Sequence, residues 1–254
     1  MDETQSKLTC SVDTSSDPID RPRDFGAVYK SVAAFSCLDW VRALRLYELA
    51  SERLTLRGDM AEVGVYRGGS ARVIHEAMRG SGKTLHLFDT FEGMPDIFQP
   101  GKDDYSIRRT YNNVTAPYRE ALRNTCTDAR IYKGVFPQTA AHLTERSFCF
   151  VHFDADLYRS AIAALSFFYP RLVIGGVIVL DDFARPQCPG VYWACGEYLS
   201  HLANHCYAFS VQWQSLTATL VKLDRSDGAP TVFPEDREFR LLDPADAPPI
   251  WDQR

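Results

Sequence analysis

The sequence has no long apolar run, no secretory leader pattern and no cluster of basic residues. Its longest uncharged apolar run, Leu172 to Leu180, is far shorter than the ~20 residues that a helix needs to span a bilayer. The first ten residues carry acidic side chains and no apolar stretch, so no secretory signal is indicated and we expect a cytoplasmic protein. Lysines and arginines are not grouped with aromatic residues, as nucleic-acid binding would require. We therefore expect no membrane and no nucleic acid, but a small molecule, as the partner.

Signatures of disulfide and serine-nucleophile chemistry are also missing. The seven cysteines are an odd number and show no C-x-x-C spacing, so reduced structural thiols are expected rather than a disulfide framework. The G-x-S-x-G turn that presents a nucleophilic serine does not occur.

What is present is the composition of an ordinary folded protein, with 45% hydrophobic and 24% charged residues. Residues 1–24 are rich in Ser, Thr, Asp and Pro, and residues 224–254 are rich in Pro and Asp, so both ends are expected to be loosely ordered. One domain, residues 25–223, remains between them.

Within this domain, short strand-like runs alternate with helix-length amphipathic stretches. A helical pattern over Cys37 to Leu56 precedes the first strand, and a second covers Val191 to Leu202. The order predicts an α/β fold with a mostly parallel sheet, closed by a C-terminal antiparallel hairpin. This seven-stranded pattern is typical of Rossmann-like class I methyltransferases. The predicted strands are Met60 to Tyr66, Thr84 to Phe88, Ala129 to Lys133, Phe148 to Phe153, Val173 to Leu180, Tyr207 to Trp213 and Thr217 to Leu223.

The first strand leads into a glycine-rich turn, EVGVYRGGS, which can hold a ligand. Glycines let the backbone approach a bound group closely, and Ser70 is a candidate N-cap of the next helix. Glu62 is costly to bury in an apolar strand without a partner. Asp89, 25 residues beyond Gly64, ends the second strand, where an acid can bind ribose hydroxyls. Together these features predict a nucleoside cofactor, although a tight turn and an exposed aspartate are the simpler alternatives.

Four carboxylates follow the fourth and fifth predicted strands. Asp154 and Asp156 come from HFDADLY, and Asp181 and Asp182 from VLDDF, so adjacent parallel strands bring them to one edge of the sheet. Clustered carboxylates repel one another and suit Mg²⁺ or a similar divalent ion. The alternative is that one or two of them cap the following helices. His152 is a candidate base or outer hydrogen-bond donor, or a buried core residue.

In order and spacing, six motifs resemble those of the macrocin O-methyltransferase family, which uses S-adenosylmethionine to methylate sugar hydroxyls of glycosylated natural products. The resemblance covers roughly residues 60–200. The motifs are EVGVYRGGSA, FDTFEGMP, KGVFPQT, HFDADLY, PRLVIGGVIVLDDF and CPGVYWACGEY.

The resemblance implies a role for each matched residue. It implies that Glu62, Gly64, Ser70 and Asp89 contact S-adenosylmethionine, with Gly134 and Phe136 near its adenosine or methionine end. It implies that Asp154, Asp181 and Asp182 bind the divalent ion and that Asp156 is the general base. The family's N-terminal segment that helps to close the pocket has no clean counterpart in Ser31 to Leu56, and the long loop Phe91 to Tyr111 is a candidate lid.

The expected function is therefore metal-assisted O-methylation of a small molecule, with a sugar of a glycosylated natural product as the acceptor. A catechol or phenol acceptor, a nicotinamide-dependent oxidoreductase and a non-catalytic binding module are the alternatives. A homo-oligomer is expected.

Overall fold

The computed structural model describes residues 24–104, 106, 118–125, 128–204, 209–214 and 216–223. The expected loose ends, apart from Asp24, lie outside this range, and so does most of the second half of the candidate lid.

The described strands form one sheet, in the order β3-β2-β1-β4-β5-β7-β6. The first five run parallel, whereas β7 pairs antiparallel with both β5 and β6. The predicted fold class, a mostly parallel α/β sheet with a C-terminal antiparallel hairpin, is confirmed. The strands are β1 (Asp59–Val63), β2 (Leu85–Asp89), β3 (Arg130–Lys133), β4 (Phe148–Phe153), β5 (Leu172–Leu180), β6 (Phe209–Gln214) and β7 (Thr217–Lys222).

The direction in which successive strands are added to the sheet reverses between β1 and β4. The chain moves outward from β1 to β3 and then returns to the other side of β1. In open parallel sheets, ligands bind in the crevice that such a reversal leaves beyond the carboxyl ends of the strands.

Helices cover both faces of the sheet, and each face buries its own apolar cluster. Three helices pack over one face: α1 (Phe25–Val32), α2 (Trp40–Glu52) and α3 (Gly69–Met78). The opposite face is covered by a 3₁₀ helix (Gln138–Leu143), α5 (Tyr158–Arg171) and α6 (Pro189–Asn204); α4 (Tyr118–Asn124) lies beside α3. The helix predicted from Cys37 begins later, because Asp39 is the N-cap and its side chain accepts a hydrogen bond from the Arg42 amide.

The turn between β1 and α3 corrects one prediction. The N-cap of α3 is Gly68, not Ser70, and no side chain caps this helix. Gly68 has a φ of 88°, and a Cβ there would lie 2.8 Å from the Thr125 side chain. A Cβ at Gly69 would lie 2.5 Å from Ser36. Neighbouring segments of the same chain therefore exclude side chains at both positions, and the helix starts at a glycine.

No helix in the described ranges is both long enough and apolar enough to cross a bilayer.

Candidate functional site

A cleft of about 1300 Å³, measured out to open solvent, lies beyond the carboxyl ends of β1, β2, β4 and β5. Of the ten residues to which the resemblance gives a role, nine line it: Gly64, Ser70, Asp89, Gly134, Phe136, Asp154, Asp156, Asp181 and Asp182. The fold thus brings the glycine turn, the second-strand aspartate and the carboxylate cluster into one space.

Glu62 is the exception. Its side chain is fully buried within the sheet, and its Oε1 lies 2.8 Å from Nδ1 of the equally buried His152. Glu62 and His152 are directly opposite each other in the parallel pair β1 and β4. The histidine is the partner that a buried carboxylate in this strand requires.

Asp89 binds the backbone of the glycine turn. Its Oδ2 accepts hydrogen bonds from the amides of Val65 and Tyr66, at 2.7 and 2.8 Å, and its Oδ1 accepts one from Phe91 at 2.7 Å. These bonds hold the turn after β1 against the end of β2. The carboxylate still lines the cleft, so its predicted contact with a ribose stays a prediction.

Gly64 allows a close approach between two loops of the site. Its φ is 90°, and a Cβ there would lie 2.0 Å from the carbonyl oxygen of Asp154. Glycine is therefore required by the backbone of the neighbouring loop, in addition to any requirement from a bound ligand.

The carboxylates beyond β4 and β5 raise one another's pKa values. Burial raises the pKa of Asp154 well above its ordinary value, with further increases from Asp181, Asp156 and Asp182. Burial, followed by the charge of Asp182, raises the pKa of Asp156 to about 7. The pKa of Asp181 is raised by burial and by Asp182, although His152 and Arg42 oppose the increase. A positive charge placed among these groups would reverse these shifts.

Two arginines supply part of that charge, and the sequence analysis missed both. The guanidinium of Arg42 lies 2.8 Å from Asp181 and 3.6 Å from Asp182, and Arg185 lies 2.8 Å from Asp182. Arg42 is itself buried, on the face of α2 that carries Leu46 and Leu49. A charged residue within this apolar stripe was the available signal.

Cys188 donates a hydrogen bond to the carboxylate of Asp156. The sulfur lies 3.2 Å from the Asp156 carboxylate and 3.6 Å from that of Asp182. Burial and these two acids raise the pKa of the thiol, so it stays protonated and can donate. Asp156 and Asp182 both have left-handed backbone, with φ of 59° and 54°. Strained backbone of this kind is concentrated at functional sites.

The alternative that these acids cap the next helix fails for α5. Its N-cap is Leu157, without a side-chain cap, and the Tyr158 amide donates instead to Asp103 at 2.8 Å.

The donor set fits a cation. Oδ1 of Asp181 is buried without a hydrogen-bond partner, whereas the buried Oδ1 of Asp182 lies 2.8 Å from Nε of Arg185. The described residues contain two groups of possible ligand atoms, and within each group the atoms lie within 4.8 Å of one another. One group comprises His152, Asp154 and Asp181, and the other Asp156, Asp182 and Cys188. Hard carboxylate oxygens are the ligands that Mg²⁺ and similar ions prefer.

The segment before α2 also contributes, although no motif marks it. Phe35, Ser36, Cys37 and Leu38 line the cleft together with Arg42. Ser31 to Leu56 therefore does lie along the cleft, where the sequence showed no clean counterpart of a pocket-closing segment.

Comparison with known proteins identifies the family. The family model of macrocin O-methyltransferases (TylF) matches residues 41–199, more than half of the chain. The chain belongs to this family.

Individual relatives share part of the chain. One is the 8-demethyl-8-(2,3-dimethoxy-alpha-L-rhamnosyl)-tetracenomycin-C 4'-O-methyltransferase of Streptomyces olivaceus, which is 32% identical over 146 residues. That alignment covers 52% of this chain and 55% of the relative. The chain spans little more than half the length of the first curated relatives that it matches.

Two solved structures show the same fold. The O-methyltransferase NovP superposes with a TM-score of 0.60 at 23% identity, over 72% of this chain and 80% of NovP. The MycE methyltransferase of mycinamycin biosynthesis, solved in complex with Mg, SAH and mycinamycin VI, superposes with a TM-score of 0.55 at 15% identity. The match covers 84% of this chain and 58% of MycE.

Proposed function

We propose that the protein is an S-adenosylmethionine-dependent O-methyltransferase that uses a divalent ion and acts on a sugar hydroxyl of a glycosylated natural product. The observation that carries the proposal is the joining of the glycine turn, Asp89 and four crowded carboxylates in one cleft. Family membership supports methyl transfer. The names of the relatives support a sugar-bearing acceptor and, for MycE, Mg with SAH.

The glycine-turn side of the cleft fits the methyl donor. The first helical residues of α3, Gly69 and Ser70, line the cleft, and the free amides at a helix start can hold a carboxylate. Asp89 offers an acceptor for ribose hydroxyls, and Phe136 adds an apolar wall. Glu62, enclosed in the sheet with His152, would support this side from below rather than bind the donor directly.

The carboxylate side of the cleft would bind the ion and the acceptor. Asp154, Asp181 and Asp182 would hold the ion, and the buried Oδ1 of Asp181, which has no hydrogen-bond partner, supports this assignment. When bound, S-adenosylmethionine supplies an activated methyl group, and a divalent ion lowers the pKa of the hydroxyl that it binds. Orienting the hydroxyl in line with the methyl group contributes much of the rate.

Asp156 would accept the proton of the acceptor hydroxyl. It lines the cleft together with the proposed ion ligands, so its carboxylate faces the space in which the hydroxyl would bind. The hydrogen bond from Cys188 would hold this carboxylate in place.

The test is product formation from labelled S-adenosylmethionine with a panel of glycosides and catechols, followed by mass spectrometry. We expect methylated glycosides and loss of product in chelator. Methylated catechols without methylated glycosides would show that the acceptor is a phenol and not a sugar. Full activity in chelator would show that methyl transfer does not need the ion. If no product forms and the purified protein shows nicotinamide absorbance, the oxidoreductase alternative is favoured. If no product forms and this absorbance is missing, a binding module is favoured. The cytoplasmic location and the homo-oligomer stay predictions.

A further inference from the structure

The buried pair of Glu62 and His152 lies directly beneath the carboxylate cluster. Because the two residues are opposite each other in parallel strands, their side chains leave the sheet on the same face. Both are almost fully inaccessible to solvent, at 0% and 1% exposure, and Nδ1 of His152 lies 2.8 Å from Oε1 of Glu62. Nδ1 is therefore occupied by Glu62, and Nε2 is the ring nitrogen left to bind another group.

The ring of His152 lies close to carboxylates of the cleft. A ring nitrogen of His152 and carboxylate oxygens of Asp154 and Asp181 lie within 4.8 Å of one another. The strand register explains the arrangement. Asp154 follows His152 by two residues, just beyond the end of β4, and the amide of Asp181 donates to the carbonyl of Phe153 at 2.8 Å.

Unpartnered atoms lie on both sides of the histidine. Oδ1 of Asp181, a residue with 2% exposure, has no hydrogen-bond partner, and neither does Oε2 of Glu62. Within the described residues, the His152 ring has one hydrogen-bond partner, Glu62.

We infer that His152 supplies a nitrogen ligand to the divalent ion, with Glu62 as the carboxylate that orients it. The inference rests on the proposed ion-dependent function and specifies the ligand set of its ion site. Carboxylate–histidine–metal arrangements of this kind fix the ring orientation and make the ligating nitrogen more basic. An imidazole ligand moves the preference of a site away from Mg²⁺ and toward first-row transition ions. The expected site therefore binds Mn²⁺ more tightly than Mg²⁺.

The first test is pulsed electron paramagnetic resonance of the protein with Mn²⁺ alone. We expect modulation from a directly bound nitrogen, with the frequencies changed when histidine is labelled with ¹⁵N, and loss of this signal in His152→Asn. His86→Asn is the matched control, because His86 is equally buried and also pairs with a carboxylate, that of Asp59, at the other end of the sheet. That variant should keep the nitrogen signal.

The second test is calorimetric titration with Mn²⁺ and Mg²⁺. We expect His152→Asn to weaken Mn²⁺ binding about tenfold or more and Mg²⁺ binding less. Glu62→Gln should weaken Mn²⁺ binding about tenfold to a hundredfold, as removal of orienting partners does at other metal sites. Because Glu62→Gln leaves the histidine in place, it tests the site even if His152→Asn does not fold.

The outcomes separate this inference from the proposed function. One outcome would be that Mn²⁺ binds the wild-type protein, that Asp181→Asn abolishes this binding and that no nitrogen signal is seen. In that case the ion site stands and His152 is not a ligand. An unchanged preference between Mn²⁺ and Mg²⁺ in His152→Asn would also overturn the inference. If the wild-type protein binds neither ion, both the inference and the ion-dependent function fail.

Discussion

The two ends of the parallel strands both contain clusters of ionisable side chains, but only at one end are the hydrogen bonds of these side chains satisfied. At the amino end, Asp59 accepts hydrogen bonds from the Thr84 amide and from His86, both at 3.2 Å. The other nitrogen of His86 lies 3.1 Å from the hydroxyl of Tyr132, and Arg146 lies 3.8 Å from Asp59.

At the carboxyl end, four aspartates share a small space with two arginines, and Oδ1 of Asp181 is buried without a hydrogen bond. A satisfied polar cluster stabilises the fold, whereas an unsatisfied one lowers stability until something binds. The contrast separates a structural cluster from a candidate binding site within one sheet.

The largest expected effect separates the base from the ion ligands. Asp156→Asn should lower turnover by about 10² to 10⁴, because proton transfer is lost, and added Mg²⁺ should not restore it. Asp181→Asn should also lose activity but recover part of it at high Mg²⁺, because its defect lies in ion occupancy. Turnover measured against Mg²⁺ concentration distinguishes the two, with Asp59→Asn at the satisfied end as a control that should keep its turnover. Recovery of Asp156→Asn by Mg²⁺ would make Asp156 a ligand instead.

The next effect concerns the buried countercharge. Arg42→Met should destabilise the ion-free protein by about 3–5 kcal/mol, because it removes one partner of a buried ion pair with Asp181. Mg²⁺ should restore part of the loss, because the ion replaces the missing positive charge. Thermal unfolding with and without Mg²⁺ measures both effects.

Arg45→Met is the matched control on the same helix. Arg45 makes an exposed pair with Glu48 at 3.9 Å, and such pairs contribute about 0–1 kcal/mol. Equal losses in the two variants would show that the buried pair of Arg42 and Asp181 contributes no more stability than an exposed pair.

A smaller effect is expected in the pH dependence of stability. The pKa of Asp156 is raised to about 7 in the folded protein, above its unfolded value, so the folded state binds the proton more tightly. The resulting stability is fully present below the unfolded pKa of about 4 and is lost as pH rises through about 7. Denaturant unfolding in chelator should therefore show wild-type stability falling over this range, with a smaller fall in Asp156→Asn. Parallel pH profiles for the two proteins would contradict the shift.

The smallest effect belongs to the satisfied end. Tyr132→Phe removes the hydroxyl that bonds His86 and should cost about 1 kcal/mol of stability without changing methyl transfer. Chemical denaturation and a turnover assay check the two halves of this prediction. Reduced turnover would show that the two ends of the sheet are coupled, and would weaken the comparison from which these experiments start.

Local signals in the sequence were enough to predict the sheet and most of the cleft. Apolar runs mark strands, and residues that follow adjacent parallel strands must meet at one edge, which is why Asp154 and Asp181 were found together. The Ser70 cap was wrong because the start of α3 is set by how closely Ser36 and Thr125 pass the two glycines, and no local pattern records that contact.

Two further features depended on contacts distant in sequence. The pairing of Glu62 with His152 follows from the adjacency of β1 and β4, which the order of strands along the chain does not reveal. Arg42 reaches Asp181 across 139 residues of sequence. Only its place among apolar neighbours in α2 could have drawn attention to it.

The contact at Gly64 has a consequence for protein engineering. Since no side chain fits between this residue and the carbonyl of Asp154, the turn that follows β1 and the loop that carries two of the carboxylates touch through their backbones. Substitutions in one loop will therefore also move the other loop. Transplanting either loop alone into another protein of this fold will not reproduce the geometry of that loop. The two loops have to be exchanged as one unit.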